Sequence, residues 1–246
     1  MELIDYDKYS DKPTCNANHA PFFPKNILCV IAGSSGSGKT NLLLNFLLDK
    51  GVLDYSDVYI YASTLGQRKY EYLKEYYSKL ESNIKTNYKR NVKIAHFFDA
   101  DDEIKDPLEL DPNTNHIMVF DDVMLSDQTK IKEYFCKGRH NNVNVFYLCQ
   151  SINKIAKHSI KDNANVFILF AQNDKTLKYF YESHVSRDMD FTEFKNFCDD
   201  AWDIKHGFVL INLWEDSYCG KYVKNCKDIY TPKKYLKSLK IPNNTK

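Results

Sequence analysis

Gly33-Ser34-Ser35-Gly36-Ser37-Gly38-Lys39-Thr40 matches G-x-x-x-x-G-K-[ST] at every fixed position. Its flanks restrict the fold more than any other stretch of the chain. Ile27-Leu28-Cys29-Val30-Ile31-Ala32 precedes it, an apolar run rich in β-branched residues that reads as a buried strand. Asn41-Leu42-Leu43-Leu44-Asn45-Phe46-Leu47-Leu48 follows, long and apolar enough for a helix packed against a sheet. Strand, glycine loop and helix together are the context in which this pattern cradles phosphate. Gly33, Gly36 and Gly38 let the backbone curl so that the N–H groups of Ser34, Ser35, Ser37 and Asn41 point inward with them. The helix N-terminus adds its positive dipole end, Lys39 a mobile charge, and Thr40 a hydroxyl for Mg²⁺. The expected ligand is a nucleoside triphosphate, ATP, with Mg²⁺.

A second strand supports this. His116-Ile117-Met118-Val119-Phe120 ends in Asp121-Asp122. In a parallel sheet the C-terminal ends of the strands border the ligand crevice, so Asp121 is placed to hold the metal that bridges the β- and γ-phosphates. Asp122 is placed to polarise an attacking water, or simply to begin a turn. At least one strand lies between the loop and Asp121, which suits a sheet with another strand inserted between the two. Val143-Asn144-Val145-Phe146-Tyr147-Leu148-Cys149 is the natural occupant, and its end carries Gln150 into the gap. An amide there reaches both a γ-phosphate oxygen and the lytic water; alternatively, Gln150 merely ends a strand.

Further strands are expected at Val58–Tyr61, at Val92–Phe98 on the periphery, at Asn165–Phe170 and at Phe208–Leu213. Helices are expected from Arg68 to about Leu80, from about Asp127 to Lys137, and from about Thr176 and Phe191. The fold class is therefore α/β: a P-loop NTPase whose RecA-like, mostly parallel sheet is covered by helices on both faces. The expected division is an N-terminal arm over 1–25, the ATPase domain over 26–220 and a basic tail over 221–246.

Composition narrows the setting. The seven cysteines form no C-x-x-C pair, and Cys29 and Cys149 fall inside expected strands. That usage points to reduced thiols of an intracellular protein, not to a disulfide or zinc framework. No apolar run approaches the roughly 20 residues of a membrane span, and the first residues lack the layout of a signal peptide. No membrane association is expected. A formal net charge of +1 argues against wholesale coating of nucleic acid, yet Lys221–Lys246 holds eight lysines and one acid, Asp228. Only Arg68, Arg90, Arg139 and Arg187 can supply a guanidinium.

The ordered set of phosphate loop, Asp121-Asp122, Gly138-Arg139-His140 and a strand closing on Gln150-Ser151 resembles the FtsK–HerA superfamily. More narrowly, it is similar to the poxvirus-type genome-packaging ATPases of large DNA viruses, virophages and polinton-like elements. The resemblance spans roughly residues 25 to 215. It implies a homo-oligomeric ring that hydrolyses ATP and drives double-stranded DNA into a preformed capsid at its portal vertex. It also implies that Arg139 is an arginine finger. Arg139 precedes its strand, so it faces away from its own subunit's nucleotide and serves only in trans; Arg187 is the fallback. Many members carry Asp-Glu where this chain has Asp121-Asp122, one methylene shorter. Candidate DNA contacts are the Lys/Tyr-rich helix after Arg68, the stretch Lys154–His158 and the lysine tail. Two other functions fit the residues, a nucleoside or nucleotide kinase and a nucleotide-gated capsid assembly factor. The paucity of arginines weighs against a kinase lid.

Overall fold

In a computed structural model, residues 17–123 and 128–236 are described. Nine strands form one sheet: β1 Leu28–Ala32, β2 Asp57–Ala62, β3 Ala95–Asp99, β4 His116–Asp121, β5 Val143–Cys149, β6 Val166–Phe170, β7 Phe208–Asn212, β8 Tyr222–Lys224 and β9 Asp228–Tyr230. Their spatial order is β3-β2-β4-β5-β1-β6-β7-β8-β9. The first six positions pair in parallel, and β7, β8 and β9 close the edge antiparallel. β5 lies between the phosphate-loop strand β1 and the acidic strand β4, the arrangement expected from the sequence.

Successive side chains on a strand point to opposite faces, and each face here has its own core. Leu28, Val30 and Ala32 of β1 join Met118 and Phe120 of β4 on one side; Cys29 and Ile31 join Ile117 and Val119 on the other. The first face is covered by α3 (Gln128–Lys137), α4 (Asp174–His184) and α5 (Phe191–Trp202), the second by α1 (Lys39–Leu48) and α2 (Arg68–Tyr88). Burial on both faces explains why the strands read as continuous apolar runs.

The local chemistry explains the boundaries. α4 starts two residues before the expected Thr176, because Asn173 caps it by accepting from Thr176 N at 2.9 Å. α2 runs past the expected Leu80 to Tyr88, with Lys89 at φ 53° ending it. β3 begins only at Ala95, since Glu81 of α2 takes the Ile94 and Ala95 N–H groups. At the N-terminal ends of the strands, buried Asn144 and Asn165 accept from Ile27 N and Leu28 N, at 2.9 and 2.8 Å. Each such buried acceptor would leave an orphaned N–H if lost, at about 1–3 kcal/mol.

The basic segment after residue 220 differs from the expectation of a tail outside the core. β8 and β9 extend the sheet, with Tyr222 and Val223 buried. Three of its lysines are engaged: Lys221 pairs with Asp188 at 2.6 Å, Lys224 with Asp200, and Lys234 donates to the Arg187 carbonyl. Tyr230 Oη and Lys233 N both donate to Glu193 Oε1. β7 has a free edge once β6 is paired, and this segment covers it. The sequence missed these strands because each has three residues, too short to show alternation. A short helix, α6 (Lys233–Leu236), follows; the lysines beyond it lie outside the described residues. The arm is likewise partly core: Phe23 is buried edge-on against Phe46 and Phe146.

Candidate nucleotide site

The phosphate loop joins β1 to α1 at the C-terminal end of the parallel strands. Gly36 and Gly38 take φ of 77° and 113°, in the left-handed region that only glycine occupies freely. A Cβ at Gly33 would lie 2.6 Å from Ser37 Oγ and 2.8 Å from Phe170 Cβ. Only a bare backbone fits there. Lys39 Nζ donates to the carbonyls of Gly33 and Ser34 at 2.7 and 2.9 Å, bracing the curl. Burial lowers its pKa below that of an ordinary lysine, opposed chiefly by Asp121.

Across the cleft, Thr40 Oγ1 donates to Asp121 Oδ2 at 2.8 Å. Tyr70 Oη donates to the same oxygen at 2.5 Å. Asp122 is exposed at φ 57°, a conformation aspartate tolerates better than most residues. Gln150 Nε2 lies 3.4 Å from Asp122 Oδ1. One cleft is lined by Ser35, Gly36, Lys39, Thr40, Asp121, Asp122, Cys149 and Gln150, together with Thr64, Gln67 and Lys69. The ends of β1, β4 and β5 thus bring together the residues that the sequence assigned to one site. Burial pushes the Cys149 thiol up to about 12, so it stands in the wall as a neutral group.

The residues fit ATP and Mg²⁺. The cradle admits no side chain at Gly33, and Ser37 Oγ is buried in it without a hydrogen-bond partner. Thr40 and Asp121 are oxygen donors of the kind Mg²⁺ takes alongside phosphates and waters. When bound there, the metal would neutralise charge on the β- and γ-phosphate oxygens.

Arg139 does not join this cluster. It is exposed in the single turn Gly138–Asn141 that precedes β5, at the opposite end of the strand from Gln150. Seven residues at a rise of about 3.3 Å separate the two ends. Arg187 lies beyond α4, beside Asp188, which Lys221 reaches from the start of β8. It too sits away from its own cleft.

Tyr70, Lys69 and His206 were not read from the sequence. Tyr70 and Lys69 enter from the first turn of α2, whose position follows from β2 ending at the same crevice. The rule that parallel strand ends gather at the site points to them. His206 approaches from the loop before antiparallel β7, with Nδ1 2.9 Å from the Ser37 carbonyl oxygen. Adjacent Gly207 has no room for a Cβ, which would lie 1.9 Å from the Ala201 oxygen. No local pattern announces that contact.

A family model for the poxvirus A32 protein matches residues 19–234. The chain belongs to this family. The poxvirus-type resemblance carried by the ordered set of loop, Asp121-Asp122, Gly138-Arg139-His140 and Gln150-Ser151 is thereby borne out. Among solved structures, the genome packaging NTPase B204 from Sulfolobus turreted icosahedral virus 2, in complex with AMP, is similar at 11% identity. The match covers 82% of this chain and 98% of that one, with a TM-score of 0.49. B204 from Sulfolobus turreted icosahedral virus, a DNA-packaging ATPase, is 16% identical over 77% of this chain and 93% of its own, with a TM-score of 0.48. The N-terminal domain of zonular occludens toxin from Neisseria meningitidis is 17% identical over 60% of this chain and 78% of its own, at 0.35. No curated protein matches the sequence. No helix among the described residues is long and apolar enough to cross a membrane.

Proposed function

We propose that this family member is an ATP-hydrolysing motor that moves double-stranded DNA into a preformed capsid. The observation that carries the reading is the junction of the glycine cradle with Asp121 through Thr40, at 2.8 Å, in a chain matched by the A32 family over residues 19–234. In this reading the loop N–H groups and Lys39 hold the triphosphate, and Thr40 and Asp121 hold Mg²⁺. Asp122 takes the proton of the attacking water, while Gln150 orients that water and senses the γ-phosphate. Arg139 enters a neighbour's cleft in a ring of like subunits. Its place at the far end of the sheet suits a head-to-tail contact, in which the base of one subunit meets the crevice of the next.

Catalysis in this class is positioning and electrostatics, so the two acids separate by function. Asp121→Ala should weaken Mg²⁺-dependent nucleotide binding. Asp122→Asn preserves shape and tolerance of positive φ; it should keep binding and lower turnover by about 10²–10⁴-fold. Equal loss of binding in both variants would show that the division between metal holder and base is wrong.

Steady-state ATP hydrolysis with and without double-stranded DNA tests the reading against its rivals. Stimulation by DNA supports the motor. Turnover that depends on a nucleoside or nucleotide acceptor identifies a kinase, and tight binding without turnover an assembly factor. In the same reading the protein acts inside the infected cell, at the site of capsid filling.

A further inference from the structure

We propose that Tyr70 is a positioning residue that fixes Asp121 for the metal, an inference that rests on the phosphate-site reading above. Tyr70 sits in the first turn of α2 and is fully buried in the apolar cluster that includes Ala62, Leu43 and Leu73. Its ring needs nothing beyond that cluster, and a phenylalanine would serve the packing equally. The hydroxyl instead leaves the cluster and meets Asp121 Oδ2 at 2.5 Å, the oxygen that also accepts from Thr40.

Two donors on one carboxylate oxygen do more than satisfy a buried phenol. Thr40 offers a metal its lone pairs only while its proton points elsewhere, and Asp121 Oδ2 is where that proton goes. The second donor holds that acceptor in place independently of Thr40. It comes from a ring with few rotatable bonds, anchored on a 21-residue helix. Losing a group that orients a metal-binding side chain in this way typically costs about 10–100-fold in metal affinity or activity. Asp121 is thus pinned from α1 on one side and from α2 on the other, before any metal arrives.

The test is binding of N-methylanthraniloyl-ATP to the full chain, read by fluorescence in EDTA and across a Mg²⁺ titration. Lys39→Ala and Asp121→Asn serve as references, and melting temperature is measured for every variant. Tyr70→Phe should bind within about twofold of wild type in EDTA. The Mg²⁺ concentration that gives half-maximal enhancement should rise about tenfold, at the lower end of such losses. Adding Tyr70→Phe to Asp121→Asn should shift it no further. If Tyr70→Phe does not fold, Tyr70→Met fills the same apolar space without a donor and should show the same shift. An unmoved Mg²⁺ curve, with or without a lower melting temperature, would assign Tyr70 to packing alone and overturn the proposal. So would an equal shift in the Asp121→Asn background. Absence of Mg²⁺-dependent binding in the wild type would overturn the phosphate-site reading itself and this inference with it.

Discussion

Replacing Lys39 by alanine should reduce ATP turnover by at least about 10²-fold, the cost of removing one preorganised donor from a developing charge. Lys39 is the one charged side chain of the phosphate loop, and it already sits among the loop carbonyls, 2.7 Å from that of Gly33. Its partial burial raises the worth of the charge, because a phosphate oxygen beside it meets less competition from water. The same two carbonyl contacts also brace the loop, so the variant needs a melting curve beside its kinetics. A folded Lys39→Ala protein with near-normal hydrolysis would remove the nucleotide from this cleft.

Arg139→Ala should be of similar or greater consequence, for a reason that lies outside the single chain. An inserted guanidinium contributes about 10³–10⁵-fold in rate where it stabilises phosphoryl transfer. Arg139 is exposed and stands a full strand length from its own Gln150, so the loss should come only through a neighbour. Arg139→Ala subunits keep a sound phosphate loop, and Lys39→Ala subunits keep the arginine. Neither alone should turn over, and mixing them should restore activity at mixed interfaces. Additive, unrescued inactivity in the mixture would mean that Arg139 does not act across a contact. A fully active monomer would rule out the ring.

The parts of the fold legible in the sequence were those with long periodic or apolar signals. β1, β4 and β5 are continuous apolar runs because helices cover both sheet faces, and their ends carry Lys39, Asp121 and Gln150 to one cleft. The antiparallel edge was not legible. β8 and β9 hold three residues each, and Lys221 and Lys224 look like part of a solvated tail until Asp188 and Asp200 are brought opposite them. Tyr70 was hidden differently. In sequence it is one more tyrosine on an amphipathic helix, and only the packing of α2 under β2 and β4 turns its hydroxyl toward Asp121. His206 depends on a loop whose neighbour Gly207 is pressed against the Ala201 carbonyl, a long-range fit that no spacing rule encodes.

ATP hydrolysis that moves the protein along duplex DNA should displace a triplex-forming oligonucleotide from linear double-stranded DNA. Displacement should require hydrolysable ATP, disappear with Lys39→Ala, and slow as the triplex is placed farther from the loading end. DNA-stimulated hydrolysis with no displacement at any triplex position would rule out translocation.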